Sequence, residues 1–129
     1  MRFAIGVVLA LAAAVPASAC NTEMFTVLEW RAEKSDIPVL PYKLVAEVQY
    51  DGPKPYRMIE AGVVFNDVLG MPLGQVNVDR DSAASPGDTL TADGQTHVRE
   101  RIGTINRDDI VATTCVWSIV YADGEVVEF

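Results

Sequence analysis

Two cysteines and four aspartates are the residues of this sequence whose types and spacing come nearest to specifying chemistry. Cys20 and Cys115 are the only cysteines, and in an oxidising compartment an even pair is expected to join. The bridge would close a loop of about 95 residues, which in the chain-entropy model stabilises a fold by roughly 4 to 5 kcal/mol. Asp79, Asp81, Asp88 and Asp93 concentrate carboxylate oxygens on one glycine-containing stretch, the donor type that calcium prefers. The stretch lacks the Asp-x-Asp-x-Asp-Gly run and distant Glu of an EF-hand. Ordinary solvated turns therefore compete with a calcium site there, and Asp108-Asp109 beside Asn106 and Arg107 also reads as turn chemistry.

Catalytic chemistry is poorly represented. His97 is the single histidine, and no Gly-x-Ser-x-Gly elbow supplies a nucleophile for it to activate. It is expected on the polar face of its strand, in solvent. Glu47 and Glu60 are expected on neighbouring strands with both side chains outward, where nothing raises a carboxyl pKa for glycoside hydrolysis. The expectation is a protein that is not an enzyme and carries no cofactor. Tyr42, Tyr50, Tyr56, Trp30 and Trp117 are aromatics that a small domain needs for its core. Tyr50 and Tyr56 flank the turn Asp51-Gly52-Pro53-Lys54-Pro55, which makes them the expected exposed pair and a candidate binding patch at one end of the fold.

The elements that must position these residues begin after an export signal. Met1 and Arg2 give a positive start, Phe3 to Val15 form an apolar run, and Pro16 precedes Ala17-Ser18-Ala19. That order is a signal peptide, residues 1 to 19, with small side chains where a peptidase cuts. The run is shorter than the roughly 20 residues a membrane-spanning helix requires. Cleavage after Ala19 would leave Cys20 first, with two fates open: the bridge to Cys115, or lipidation as in bacterial lipoproteins. The expected location is accordingly the periplasm or the exterior, with a membrane-anchored lipoprotein as the alternative.

Residues 20 to 129 suffice for one domain. Loss of Arg2 with the signal takes the net charge from −8 to −9. Such a surface repels phosphate backbones, so nucleic acid is excluded as a partner. Membrane contact is expected only through a lipid on Cys20. Short runs rich in Val, Ile, Thr, Tyr and Phe recur between Gly, Pro, Asp and Asn, the texture of antiparallel strands. Strands are expected near 24–32, 42–50, 56–67, 76–78, 95–102, 110–121 and 126–129, with 79–94 as a loop or irregular edge. In the strongest, Cys115, Trp117, Ile119 and Tyr121 alternate onto one face, expected to be the core. Gly62 inside its strand signals a bulge or close backbone approach, and Asp123-Gly124 suits a tight hairpin. About seven strands with almost no helical period point to an immunoglobulin-like β-sandwich.

The stretch Val63-Val64-Phe65-Asn66-Asp67-Val68-Leu69-Gly70-Met71-Pro72-Leu73, followed by Ser85-Pro86-Gly87-Asp88, resembles the small bacterial FxLYD-type domains. In these an aromatic and an aspartate end a strand, a glycine turn follows, and Pro-Gly precedes the next strand. The resemblance covers residues 40 to 124, with Asn66 where that signature has tyrosine. It implies an exported sandwich with no catalytic residues to carry over. The functional expectation is a non-catalytic module of the bacterial periplasm or envelope that acts by protein contact, with another envelope protein as partner. Strand addition at an edge is its expected recognition mode. The alternative is a ligand or calcium-binding domain using the 79–93 loop.

Overall fold

A computed structural model describes residues 20 to 129; the expected export signal lies outside the described residues. Seven strands make up the fold: β1 (Phe25–Lys34), β2 (Tyr42–Tyr50), β3 (Tyr56–Asp67), β4 (Pro72–Asn77), β5 (Thr89–Gly94), β6 (Ile110–Tyr121) and β7 (Val126–Glu128). Two short 3-10 turns, Glu100–Gly103 and Arg107–Asp109, lie between β5 and β6. All pairings are antiparallel, and the strands hydrogen-bond in the order β1-β2-β5-β4-β3-β6-β7. They form one continuous hydrogen-bonded sheet, the all-β antiparallel arrangement of about seven strands that the sequence predicts.

That sheet curls into a half-barrel. Its middle join is thin, because β4 and β5 meet at the single pair Asn77↔Asp93. Two limbs, β1-β2-β5 and β4-β3-β6-β7, can therefore fold toward each other. Trp30 of β1 meets Phe65 of β3 edge to face at 5.1 Å, and Tyr50 of β2 meets Tyr56 of β3 at 4.9 Å. The curl also returns β1 to β6, five places away in the sheet. The Thr114 hydroxyl donates to the Phe25 carbonyl at 3.1 Å, and Arg107 Nη2 donates to the Trp30 carbonyl at 2.6 Å. Side chains thus satisfy carbonyls on an edge that has no ladder partner.

The core follows from alternation. Leu44, Ala46, Val48 and Tyr50 of β2, and Ile59, Ala61, Val63 and Phe65 of β3, are all buried. In β6 the expected phase holds only at its end. The β3 register shifts between Glu60 and Ala61, pairing Glu60 with Ser118 and Ala61 with Val116. Trp117 is therefore the extra residue of a bulge. Since a one-residue insertion swaps faces, Thr114 and Val116 point inward before it, Ile119 and Tyr121 after it, and Cys115 and Trp117 lie on the outer side.

The expected strand at 95–102 is also corrected. The fifth strand is Thr89–Gly94, inside the presumed loop, where Leu90 and Ala92 pair with Val48 and Ala46 of β2. Its small, polar residues hid it, although Ala92 is fully buried. Residues 97–99 follow the start of β4 through bonds between Gln75 N–H and the His97 carbonyl, and Arg99 N–H and the Leu73 carbonyl. The chain then turns into the 3-10 segment that buries Ile102.

Candidate functional site

Cys20 and Cys115 form a disulfide, their Cα atoms 5.2 Å apart. It ties the segment before β1 onto the outer side of β6, next to the reciprocal pair of bonds between Asn21 and Val116, both 2.9 Å. The bridge consumes the thiol that a lipid would occupy, so the two fates of Cys20 exclude each other.

Tyr50 and Tyr56 do not form an exposed patch: they are 0% and 1% exposed. The pleat that directs Leu44, Ala46 and Val48 inward also directs Tyr50 inward, and the 51–55 turn folds over its ring. Gly52 makes this fit, because a Cβ there would lie 2.1 Å from the Tyr50 hydroxyl. That hydroxyl donates to the Lys54 carbonyl at 2.7 Å. Burial pushes the Tyr50 phenol up to about 12, with Tyr121 and Tyr56 nearby adding to the shift. Tyr56 is raised as well, chiefly by burial.

The four candidate calcium ligands are not gathered. Asp79 Oδ1 accepts from Asp81 N–H at 2.9 Å, and Asp88 Oδ2 accepts from Ser85 N–H at 2.8 Å, both ordinary turn closures. Asp93 lies five residues along the chain from Asp88, about 16 Å at strand rise. There it pairs with Lys43 at 3.2 Å. Among the described residues no three His, Cys, Asp or Glu side chains converge on a metal position. His97 is exposed. Glu47 and Glu60 are not on neighbouring strands, since β5 and β4 separate β2 from β3. Glu60 accepts from the Ser118 hydroxyl at 3.2 Å.

A groove on the outer side of the β4-β3-β6-β7 limb escaped the sequence reading. One end is a cleft of about 500 Å³ with Glu60, Gln75, Asn77, Arg80 and Trp117 around it. The bulge delivers Trp117 to this side, and Gly62 keeps the adjoining strands close, for a Cβ there would stand 2.6 Å from Asn77 Oδ1 and 2.7 Å from the Val76 carbonyl. Gln75 Nε2 donates to Asn77 Oδ1 at 3.0 Å. A second hollow shares Ile59, Glu60 and Arg80 with the first and continues to Met58, Val120 and Val126. Met58 pairs with Val120, and Val120 with Val126. These three side chains form an apolar row across β3, β6 and β7, Met58 40% and Val126 62% exposed, ending at the open edge of the sheet. Inward-outward alternation flags Met58 in the sequence, but its alignment with Val126 depends on two registers and a bulge.

With an aromatic, amides, a carboxylate and a guanidinium around apolar walls, the groove is equipped for recognition by contact. No protein-family model, no curated protein and no solved structure matches the chain.

Proposed function

We propose that this chain is an exported, non-catalytic module of the bacterial periplasm or envelope, acting by protein-protein contact. An extended segment of a partner protein adds to β7 and lies over the outer groove. The observation that carries this reading is the in-register row Met58–Val120–Val126, which leads from the Trp117 cleft to an open strand edge. Main-chain bonds to that edge supply affinity, and side-chain pockets beside it supply selectivity. The opposite edge suits pairing less well: β1 has a bulge between Val27 and Glu29 and presents Glu29, Arg31, Glu33 and Lys34, the devices that discourage strand addition.

An immunoglobulin-like sandwich belongs to the same reading. Labelled A to G in chain order, the strands divide into ABE and DCFG limbs, whereas a constant-type domain divides into ABED and CFG. The thin β4–β5 join and the ring contacts between limbs support treating them as two layers. The disulfide supports an oxidising compartment.

A photo-crosslinking residue at Val126, compared with one at Glu33 on the opposite edge, tests the proposal in cells that export the protein. A discrete protein adduct at position 126, absent at 33 and abolished by Met58→Glu, is expected. Equal labelling at both edges, or none at 126, would overturn it.

A further inference from the structure

The Trp117 end of the outer groove differs in chemistry from the apolar row that leads away from it. Here β3 is laddered by β4 on one side and β6 on the other. The chain beyond β4 continues the pairing, with Val78 N–H donating to the Ala61 carbonyl at 3.0 Å and Ile59 N–H to the Arg80 carbonyl at 2.9 Å. Main chain in the floor of the cleft is engaged from both sides, so a ligand is met there by side chains. The β7 edge is the reverse case, since strand addition works through free main-chain groups.

The side chains around the cleft are fixed in place and keep spare bonding capacity. Asn77 Oδ1 fills the space that a Cβ on Gly62 would take, and Gln75 Nε2 holds it at 3.0 Å. That leaves the Asn77 Nδ2 hydrogens and the Gln75 Oε1 as a neighbouring donor and acceptor. Glu60 accepts from the Ser118 hydroxyl at 3.2 Å through one oxygen, with the other left over. Trp117 is half-buried. Trp30 is covered by Phe65 and Arg107, whereas Trp117 stacks on no ring or cation among the described residues.

Glu60 and Arg80 are the charged residues lining the cleft, and among the described residues neither makes an ion pair. A singly charged ligand would satisfy one of them and leave the other desolvated without a partner, which is costly. A neutral polyol suits both, because every hydroxyl donates and accepts. Planar amides reach two adjacent hydroxyls at once, and the C–H face of a sugar ring covers an indole.

From these features we infer that the Trp117 cleft binds a neutral pyranose ring of a saccharide. Its volume of about 500 Å³ lies within the roughly 300 to 1,000 Å³ of small-molecule sites. The inference does not rest on strand addition at β7: the cleft and the Met58–Val120–Val126 hollow adjoin but are lined by different apolar side chains, and either can be filled without the other.

The test follows the two indole N–H signals of the disulfide-bonded, nitrogen-labelled protein by NMR while cellotriose, maltotriose, mannotriose and chitotriose are titrated in turn. Trp117→Phe assigns the signals. At least one trisaccharide is expected to shift the Trp117 signal saturably at about 10 mM or below, leaving Trp30 in place, with Asn77→Ala and Arg80→Ala each weakening binding about tenfold. Both residues are exposed, so the fold is retained, which an unchanged melting temperature verifies. Val126→Asp is expected to bind like wild type, so failure of the strand-addition reading and failure of this one are told apart. No saturable shift with any of the four sugars would overturn the inference, as would an equal loss with Val126→Asp or binding indifferent to both cleft variants. Tetra-alanine shifting Trp117 as strongly as the best sugar would also overturn it, making the cleft a peptide site.

Discussion

The Asp67 carboxylate, 7% exposed, meets the Arg101 guanidinium at 2.7 Å while closing its own hairpin through two backbone N–H groups. Arg101 first, then the Met71 and Leu69 amides, hold this carboxyl below the usual aspartate range. A folded-state value below the unfolded one gives stability that is present above about pH 4 and lost as pH falls through the folded value. Asp67→Asn should melt several degrees lower than wild type at pH 7. The gap should narrow on acidification, as read by thermal unfolding at stepped pH. A gap constant down to pH 3 would show that the charge is immaterial.

Tyr50 provides the alkaline counterpart. Its folded pKa of about 12 lies above the ordinary value near 10, so its contribution is complete below pH 10 and disappears as pH rises through 12. Absorbance titration of the phenolates should show a late-ionising tyrosine that Tyr50→Phe removes. The same substitution deletes the bond to the Lys54 carbonyl and should cost about 1 kcal/mol.

Alternation along single strands was enough to find β2, β3 and β6 with their limits, because each has one buried face and its own residues record it. It failed at β5, whose burial comes from its neighbours: Thr89 to Gly94 holds no large aliphatic besides Leu90, and Ala92 is covered by the curl of the sheet. It failed again at Trp117, where a bulge defined jointly by β3 and β6 reverses the faces. Tyr50 and Tyr56 looked exposed from their place beside a turn, but position next to a turn does not say which way the pleat points. The outer groove is least legible of all, since Met58, Val120 and Val126 come together only through two cross-strand registers. The disulfide needed no geometry beyond an even cysteine count.

Gly62 reports on the strand spacing under the groove. In Gly62→Ala the new methyl would meet Asn77 Oδ1 at 2.6 Å and the Val76 carbonyl at 2.7 Å, and the backbone contact cannot be relieved by a rotamer change. The substitution should cost about 1 to 3 kcal/mol, seen as a lower urea midpoint with an unchanged slope. A neutral result would mean β4 moves freely against β3.

Reduction of the Cys20–Cys115 bridge should lower unfolding free energy by about 4 to 5 kcal/mol, given the 95-residue separation. Parallel urea titrations with and without reductant measure this. Intact mass from an exporting host separates the two fates: two hydrogens lost for the bridge, acyl mass gained for a lipid.

Arg107 and Trp30 close the seam between β1 and the β6 limb, where no ladder does so. The guanidinium lies 3.6 Å from the ring centroid while its Nη2 donates to the Trp30 carbonyl, and Trp30 packs on Phe65 of β3. A planar cation that stacks and donates at once has no equivalent in lysine. Arg107→Lys should therefore retain the charge yet lose about 1 kcal/mol, with Trp30 emission shifting to longer wavelength as water reaches the ring. Trp117 lies on the outer side of the other limb, so Trp117→Phe provides a background in which Trp30 is read alone. Should Arg107→Lys leave both stability and Trp30 emission unchanged, the seam would be held by Thr114 and the disulfide, and the curl would not depend on the Arg107 stack.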